Sequence, residues 1–143
     1  MSADQVIDAS VVGAAFFNEA HSSLARRFLA QASPLFAPTL LVAEIASLSA
    51  KKVWRGEASS AAGERALAVL PDFVGTFVDL APLAERAFQL AAQHRFSAYD
   101  GFYLALAESR ACRVVTLDAR LIDRARSCGL EVLVASLAES LPG

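Results

Sequence analysis

A parallel α/β fold is what this sequence predicts, and three observations carry the prediction. Short runs rich in Val, Ile, Leu and Phe recur along the chain, each bounded by capping or turn residues. Longer segments of helical character lie between them. Those segments are long enough for the crossovers that parallel strands require, and strands this apolar suit a sheet covered by helices on both faces.

Gln5-Val6-Ile7-Asp8 reads as the first strand. A helix follows from about Ser10, and a second through Ala20–Ala32 ends ahead of Pro34, because a proline biases the residue before it away from helix. Leu35-Phe36-Ala37 is a second short strand. Pro38-Thr39 then opens a long helix to about Arg55, with Gly56 as its stop. A helix over about Ala58–Leu70 is expected to end at Pro71, which lacks the N–H of an interior turn. Phe73–Leu80 contains a third strand, and a helix runs from Pro82 to about His94. Ser97-Ala98-Tyr99-Asp100 has the spacing of a capping box, with Asp in place of Glu or Gln, and starts a helix to about Arg110. Arg113-Val114-Val115-Thr116 is a fourth strand, Ala119–Ser127 a helix stopped by Gly129, and Leu130–Val134 a last strand.

The 143 residues fit a single domain, 1–143, with no repeat, linker or low-complexity tract. A chain of this length buries roughly two thirds of its unfolded surface and folds without a disulfide or structural metal. Cys112 and Cys128 lack metal-ligand spacing and read as small, ordinary buried residues. A net charge of -2 argues against coating nucleic acid by bulk charge, though not against a local basic stripe. The N-terminus lacks the pattern of a signal peptide, and no apolar run reaches the roughly 18 residues of a membrane span. A cytoplasmic protein is expected.

All but four of the 15 acidic residues sit in polar or terminal settings. The four are Asp8, Glu44, Asp100 and Asp118. Asp8 and Asp118 each end a strand ahead of a helix, where a helix cap alone also explains them. Asp100 is explained equally well by the capping box. Glu44 lies within Leu40-Leu41-Val42-Ala43-Glu44-Ile45-Ala46, on an apolar stretch where capping has no role; a carboxylate there is costly unless it is neutral or paired, and a salt bridge is the plainer explanation. Taken together, three of the acids can face the carboxyl edge of one sheet, where α/β folds gather functional groups, and the fourth lies one turn into a helix that follows a strand. Converging carboxylates repel one another unless a cation compensates them. Carboxylates without nearby His or Cys favour Mg²⁺ or Mn²⁺ over Zn²⁺.

These residues carry a resemblance. Val6-Ile7-Asp8-Ala9-Ser10-Val11-Val12 resembles the opening of PIN-domain proteins, and Ala37-Pro38 through Ala43-Glu44-Ile45 resembles their second motif. Ala98-Tyr99-Asp100-Gly101-Phe102-Tyr103-Leu104-Ala105-Leu106-Ala107 resembles the third, and Thr116-Leu117-Asp118-Ala119-Arg120-Leu121 the fourth. Order, spacing and length are similar to those of VapC-type toxins of bacterial type II toxin–antitoxin systems, from about Val6 to Val134. The resemblance implies a three-layer α/β/α PIN-like fold with a central parallel sheet. It implies a Mg²⁺- or Mn²⁺-dependent endoribonuclease, a homodimer and inhibition by a cognate VapB-like antitoxin. By motif position, Asp8, Glu44, Asp100 and Asp118 carry over as metal-holding and catalytic acids, and Ser10 and Thr116 as supporting hydroxyls. Gly101 stands where the family more often has Ala.

A path for RNA is partly legible. Lys51 and Arg55 lie seven and eleven residues beyond Glu44, within roughly 20° of it around the helix, so an acid near the metal leads to a basic row. A solvated, basic helix end is the plainer explanation. Arg95, Arg113 and Arg120 flank the other motifs as further candidate phosphate contacts, whereas His21 and His94 have no evident catalytic partner. Trp54 and the Phe residues are expected in the core or between copies of the chain rather than stacked on bases. Two other signalling or phosphoryl-transfer folds are disfavoured. A response-regulator receiver needs an acidic pair after the first strand and a late Lys, but no Lys follows Lys52; an Asp-nucleophile phosphatase needs an acid where Ser10 stands. A non-catalytic PIN-like RNA-binding or regulatory module is the remaining alternative.

Overall fold

The computed structural model describes residues 4–31 and 34–141. The elements run β1 (Gln5–Ile7), α1 (Ala9–Phe16), α2 (Ser22–Gln31), β2 (Leu35–Pro38), α3 (Leu40–Trp54), α4 (Ser60–Phe73) and β3 (Thr76–Val78). They continue with α5 (Ala84–His94), α6 (Ala98–Ser109), β4 (Arg113–Thr116), α7 (Ala119–Ser127) and β5 (Val134–Ser136). The five strands form one parallel sheet in the order β3-β2-β1-β4-β5. The chain builds outward from β1 to β3, then returns to the other side of β1 with β4. That reversal opens a crevice at the carboxyl ends of β1 and β4, the place where open α/β sheets bind ligands.

Strand alternation sends successive side chains to opposite layers. Val6, Phe36, Val114 and Val134 pack with Leu90, Leu104 and Leu121 of α5, α6 and α7. Ile7, Leu35, Ala37 and Val115 pack with Val11, Phe28, Ile45 and Leu70 of α1 to α4. Both faces are therefore covered, which gives the expected three-layer α/β/α arrangement. Gly101 has a packing reason: a Cβ there would meet the Ala87 carbonyl oxygen at 2.5 Å, so its absence lets α6 approach the backbone of α5.

The structure shifts several expected boundaries. Strand β1 stops at Ile7, because Asp8 turns its carboxylate onto Ser10 N and Val11 N as the N-cap of α1. Helix α2 begins at Ser22 rather than Ala20; its other expected terminus, Ala32, lies outside the described residues. Pro71 does not end α4 but lies inside its last turn. The lost backbone bond is offset by burial of Leu70 and Val74 and by the contact of Phe73 with Phe16, whose rings lie 5.6 Å apart. Pro82 sits in a 3₁₀ turn, Ala81–Leu83, ahead of α5. The last strand lies further along than Leu130–Val134: a 3₁₀ turn at Glu131–Leu133 comes first, and pairing starts where Val134 reaches Val114. Gly56 and Gly129 adopt positive φ, 72° and 80°, at the helix ends where a stop was expected. Among the described residues, no helix is long and apolar enough to cross a membrane.

Candidate active site

The ends of β1 and β4 are tied together by a network centred on Asp8. Its Oδ1 accepts hydrogen bonds from Ser10 Oγ at 2.6 Å, Ser10 N at 3.1 Å and Val11 N at 3.4 Å. Its Oδ2 accepts from Thr116 Oγ1 at 2.6 Å. The two hydroxyls also receive backbone bonds, Ser10 Oγ from Leu117 N at 2.9 Å and Thr116 Oγ1 from Asp118 N at 2.9 Å. Ser10 and Thr116 thus hold Asp8 in one orientation and bind the chain segment that carries Asp118. Burial pushes the Asp8 carboxyl up to about 6, against the opposing pull of these hydrogen bonds.

Glu44 lies one turn into α3. Among the described residues no basic side chain pairs with it; its partner is the Tyr103 hydroxyl, which donates to Oε1 at 2.5 Å. Since α3 and α6 cover opposite faces of the sheet, this bond joins the two helical layers. Burial raises the Glu44 pKa, the Tyr103 bond opposes that, and the charge of Asp100 adds to it. Asp100 sits in the first turn of α6, where Ser97 Oγ accepts from its backbone N–H at 3.0 Å. Its carboxyl is raised by burial and by the charge of Asp118, while Ser97 and Arg124 act in the other direction. Asp118 is exposed and caps α7, accepting from Arg120 N and Leu121 N. The Tyr103 hydroxyl is raised by burial and by the charges of Glu44, Asp8 and Asp100.

Glu44 thus feels Asp100, Asp100 feels Asp118, and the Tyr103 hydroxyl feels Glu44, Asp8 and Asp100. Asp8 and Asp118 cap their helices and still act on this site, Asp8 on Tyr103 and Asp118 on Asp100. Among the described residues, no three His, Cys, Asp or Glu side chains converge as a ready-made ligand set. Asp8 and Asp118 are instead engaged by donors at their helix starts, and Glu44 by Tyr103. The donor chemistry nonetheless suits a hard divalent cation: the side-chain partners of Asp8 and Glu44 are hydroxyl groups, and three of the four carboxyls are disfavoured in their charged form.

Two clefts flank the acids. One, of about 530 Å³, is lined by residues of α1 and α3, among them Ser10, Glu44 and Lys51, and also by His21. The other, of about 260 Å³, contains Asp100 and Asp118 together with Arg95, Arg120 and Arg124. Lys51 and Arg55 are exposed at the end of α3, and among the described residues neither pairs with a carboxylate; the neighbouring Lys52 is tied to Glu19 at 3.3 Å and Glu57 at 3.7 Å. Arg113 does not join the site. It begins β4, at the opposite end of the strand from Thr116, and lines a separate cleft beside Cys112. His94 packs edge-on against Phe96. Trp54 is 79% exposed, which excludes it from the core. Tyr103 and Arg124 were not singled out in the sequence; Tyr103 lies one turn beyond Asp100, and Arg124 one turn beyond Arg120, the only local signals that either carried.

The sequence pattern of the PIN domain matches residues 6–127. Ribonuclease VapC9 of Mycobacterium tuberculosis is 36% identical over 129 residues, which cover 90% of this chain and 97% of that protein. The crystal structure of PAE2754 from Pyrobaculum aerophilum superimposes with a TM-score of 0.71 at 21% identity, over 95% of this chain and 85% of that one. The structure of FitAB bound to an IR36 DNA fragment superimposes with a TM-score of 0.68 at 20% identity, over 93% of this chain and 94% of that one. With the motifs in order, the parallel sheet in place and an extended match to a VapC ribonuclease, the chain belongs to the PIN-domain family.

Proposed function

We propose that this protein is a metal-dependent endoribonuclease, the toxin of a toxin–antitoxin pair, whose acidic centre is Asp8, Glu44, Asp100 and Asp118. The observation that carries the reading is the Tyr103 hydroxyl, which feels the charges of Glu44, Asp8 and Asp100 while Asp118 acts on Asp100, in a chain that matches a VapC ribonuclease along nine tenths of its length. Mg²⁺ is the proposed ion, with Mn²⁺ an equivalent. A divalent ion supplies neutralisation of phosphate charge and acidifies water for attack. The protein's own contribution is positional. Ser10 and Thr116 keep the Asp8 carboxylate fixed, and Tyr103 holds Glu44 against rotation. Asp100 or Glu44, with burial raising both, orients the attacking water for in-line displacement and takes up its proton.

The VapC likeness brings a VapB-like antitoxin, a homodimer and a cytoplasmic location into the same reading. Exposed Val42 and Trp54 on α3 supply apolar surface for such contacts. Incubation of the purified protein with single-stranded RNA tests the activity: cleavage with Mg²⁺ or Mn²⁺ that EDTA abolishes is expected. RNA bound but uncut under every metal condition would identify a non-catalytic binding module instead.

The basic row makes a separate prediction. Lys51→Ala combined with Arg55→Ala removes two unpaired cations leading away from Glu44. The slope of log affinity against log salt should flatten by about 1.4 for two lost contacts to single-stranded RNA. An unchanged slope would reduce both residues to a solvated helix end.

A further inference from the structure

We infer that the acidic centre divides the RNA site into two unlike halves, an apolar cleft that reads a nucleobase and an arginine-lined cleft that grips the phosphate backbone. The inference rests on the ribonuclease reading above. In the larger cleft, Gly13, Ala14, Leu48 and Leu117 form an apolar wall, edged by the polar groups of His21 and Ser47 and by the charged side chains of Glu19 and Lys51. Its volume, about 530 Å³, falls within the roughly 300–1,000 Å³ typical of pockets that hold small organic groups. Helix α1 presents small residues to this wall. A Cβ on Gly13 would meet Leu48 Cδ2 at 2.6 Å, so the missing side chain lets Leu48 lie close against α1. Ser10 and Glu44 line the same cleft, which makes it continuous with the acidic centre.

The smaller cleft has the opposite character. Arg95, Arg120 and Arg124 are all exposed and surround Asp100 and Asp118. Arg124 Nη1 donates to the Arg95 carbonyl oxygen, which fixes one guanidinium beside the acids. Guanidinium groups bind phosphate oxygens whatever the base, whereas an apolar wall edged by a few polar groups distinguishes bases by shape and hydrogen bonding. Three cations face the smaller cleft against one, Lys51, at the rim of the larger, so the backbone grip is concentrated on the arginine side. The chain is thus arranged to read sequence on one side of the scissile bond and to hold the backbone on the other.

Binding of short homopolymeric RNAs of each base, measured by fluorescence anisotropy in EDTA over a range of salt, separates the halves. Wild type should favour one base by about tenfold over the weakest, a discrimination within reach of a pocket of this kind. Ser47→Phe, at an exposed position on α3 where the added ring fills the cleft, should abolish that preference and leave the salt slope unchanged. Arg120→Ala with Arg124→Ala should flatten the slope by about 1.4 and leave the preference intact. A wild type without preference, a preference that survives Ser47→Phe, or one altered by the arginine pair would overturn the inference. Because these readings need no cleavage, they fail independently of the enzymatic reading, which fails only if wild type leaves RNA uncut with Mn²⁺.

Discussion

Asp100→Asn should lower the rate of RNA hydrolysis by on the order of 10²–10⁴ while leaving the protein folded. The substitution is nearly isosteric, and the cap at this helix end uses the backbone N–H of residue 100, donated to Ser97 Oγ, so the start of α6 survives. What changes is the chemistry. The carboxylate that burial and Asp118 hold in a raised, proton-accepting condition is replaced by an amide that neither accepts a proton at working pH nor compensates a cation. Initial rates on a fluorogenic RNA with saturating Mn²⁺, alongside a thermal melt of each protein, check the prediction. A folded variant that cleaves as fast as wild type would remove Asp100 from the centre. Glu85→Gln serves as the control: Glu85 is exposed in the first turn of α5 and appears in neither cleft.

The parts of this site that the sequence discloses are those governed by local rules. Asp8 and Asp118 stand at strand-to-helix junctions, where spacing alone puts an acid at the sheet edge, and the structure finds both as N-caps there. The strands were legible because Val and Ile fill both faces, and the stops at Gly56 and Gly129 because those positions need positive φ. The illegible parts depend on contacts between distant segments. Tyr103 and Glu44 are 59 residues apart, and nothing within α3 announces that a phenol from the opposite layer will satisfy its acid. Lys51 and Lys52 are neighbours of identical type, yet only the structure shows Lys52 against the Phe17 ring and paired with Glu19, while Lys51 stays at the cleft. Arg113 looked like a flank of the fourth motif, but strand direction carries it to the far end of the sheet. Pro71 obeyed tertiary packing instead of its own propensity.

Asp8→Asn should invert the usual effect of deleting a well-bonded buried group. An acid whose folded-state pKa stands above its unfolded value stabilises the native state below the unfolded pKa and loses that contribution as pH rises through the folded one. For Asp8 the window runs from the ordinary value of 3.8 to about 6. A shift of that size corresponds to on the order of 3 kcal/mol, most of it lost between about pH 4 and pH 7. The asparagine is neutral throughout, keeps an acceptor for Ser10 N and Val11 N, and can donate to Thr116 Oγ1. Metal-free melting temperatures should therefore diverge as pH rises, with wild type falling by roughly 10 °C relative to the variant by pH 7.5.

Divalent metal should then close most of that gap. Binding to the native state alone adds about 2.7 kcal/mol at a hundredfold excess over the dissociation constant, another shift of roughly 10 °C. Wild type at pH 7.5 should show that rise as Mn²⁺ is titrated, and the variant, with one carboxylate fewer, should show much less of it. Below about pH 6 Asp8 takes up a proton, so the wild-type response should shrink there as well. A purely structural Asp8, retained only to tie β1 to β4 through Ser10 and Thr116, predicts the contrary: a variant less stable than wild type at neutral pH, and melting temperatures of both proteins indifferent to metal. Melts of the two proteins in EDTA and in Mn²⁺, at pH 5 and pH 7.5, decide between these accounts without any measurement of cleavage.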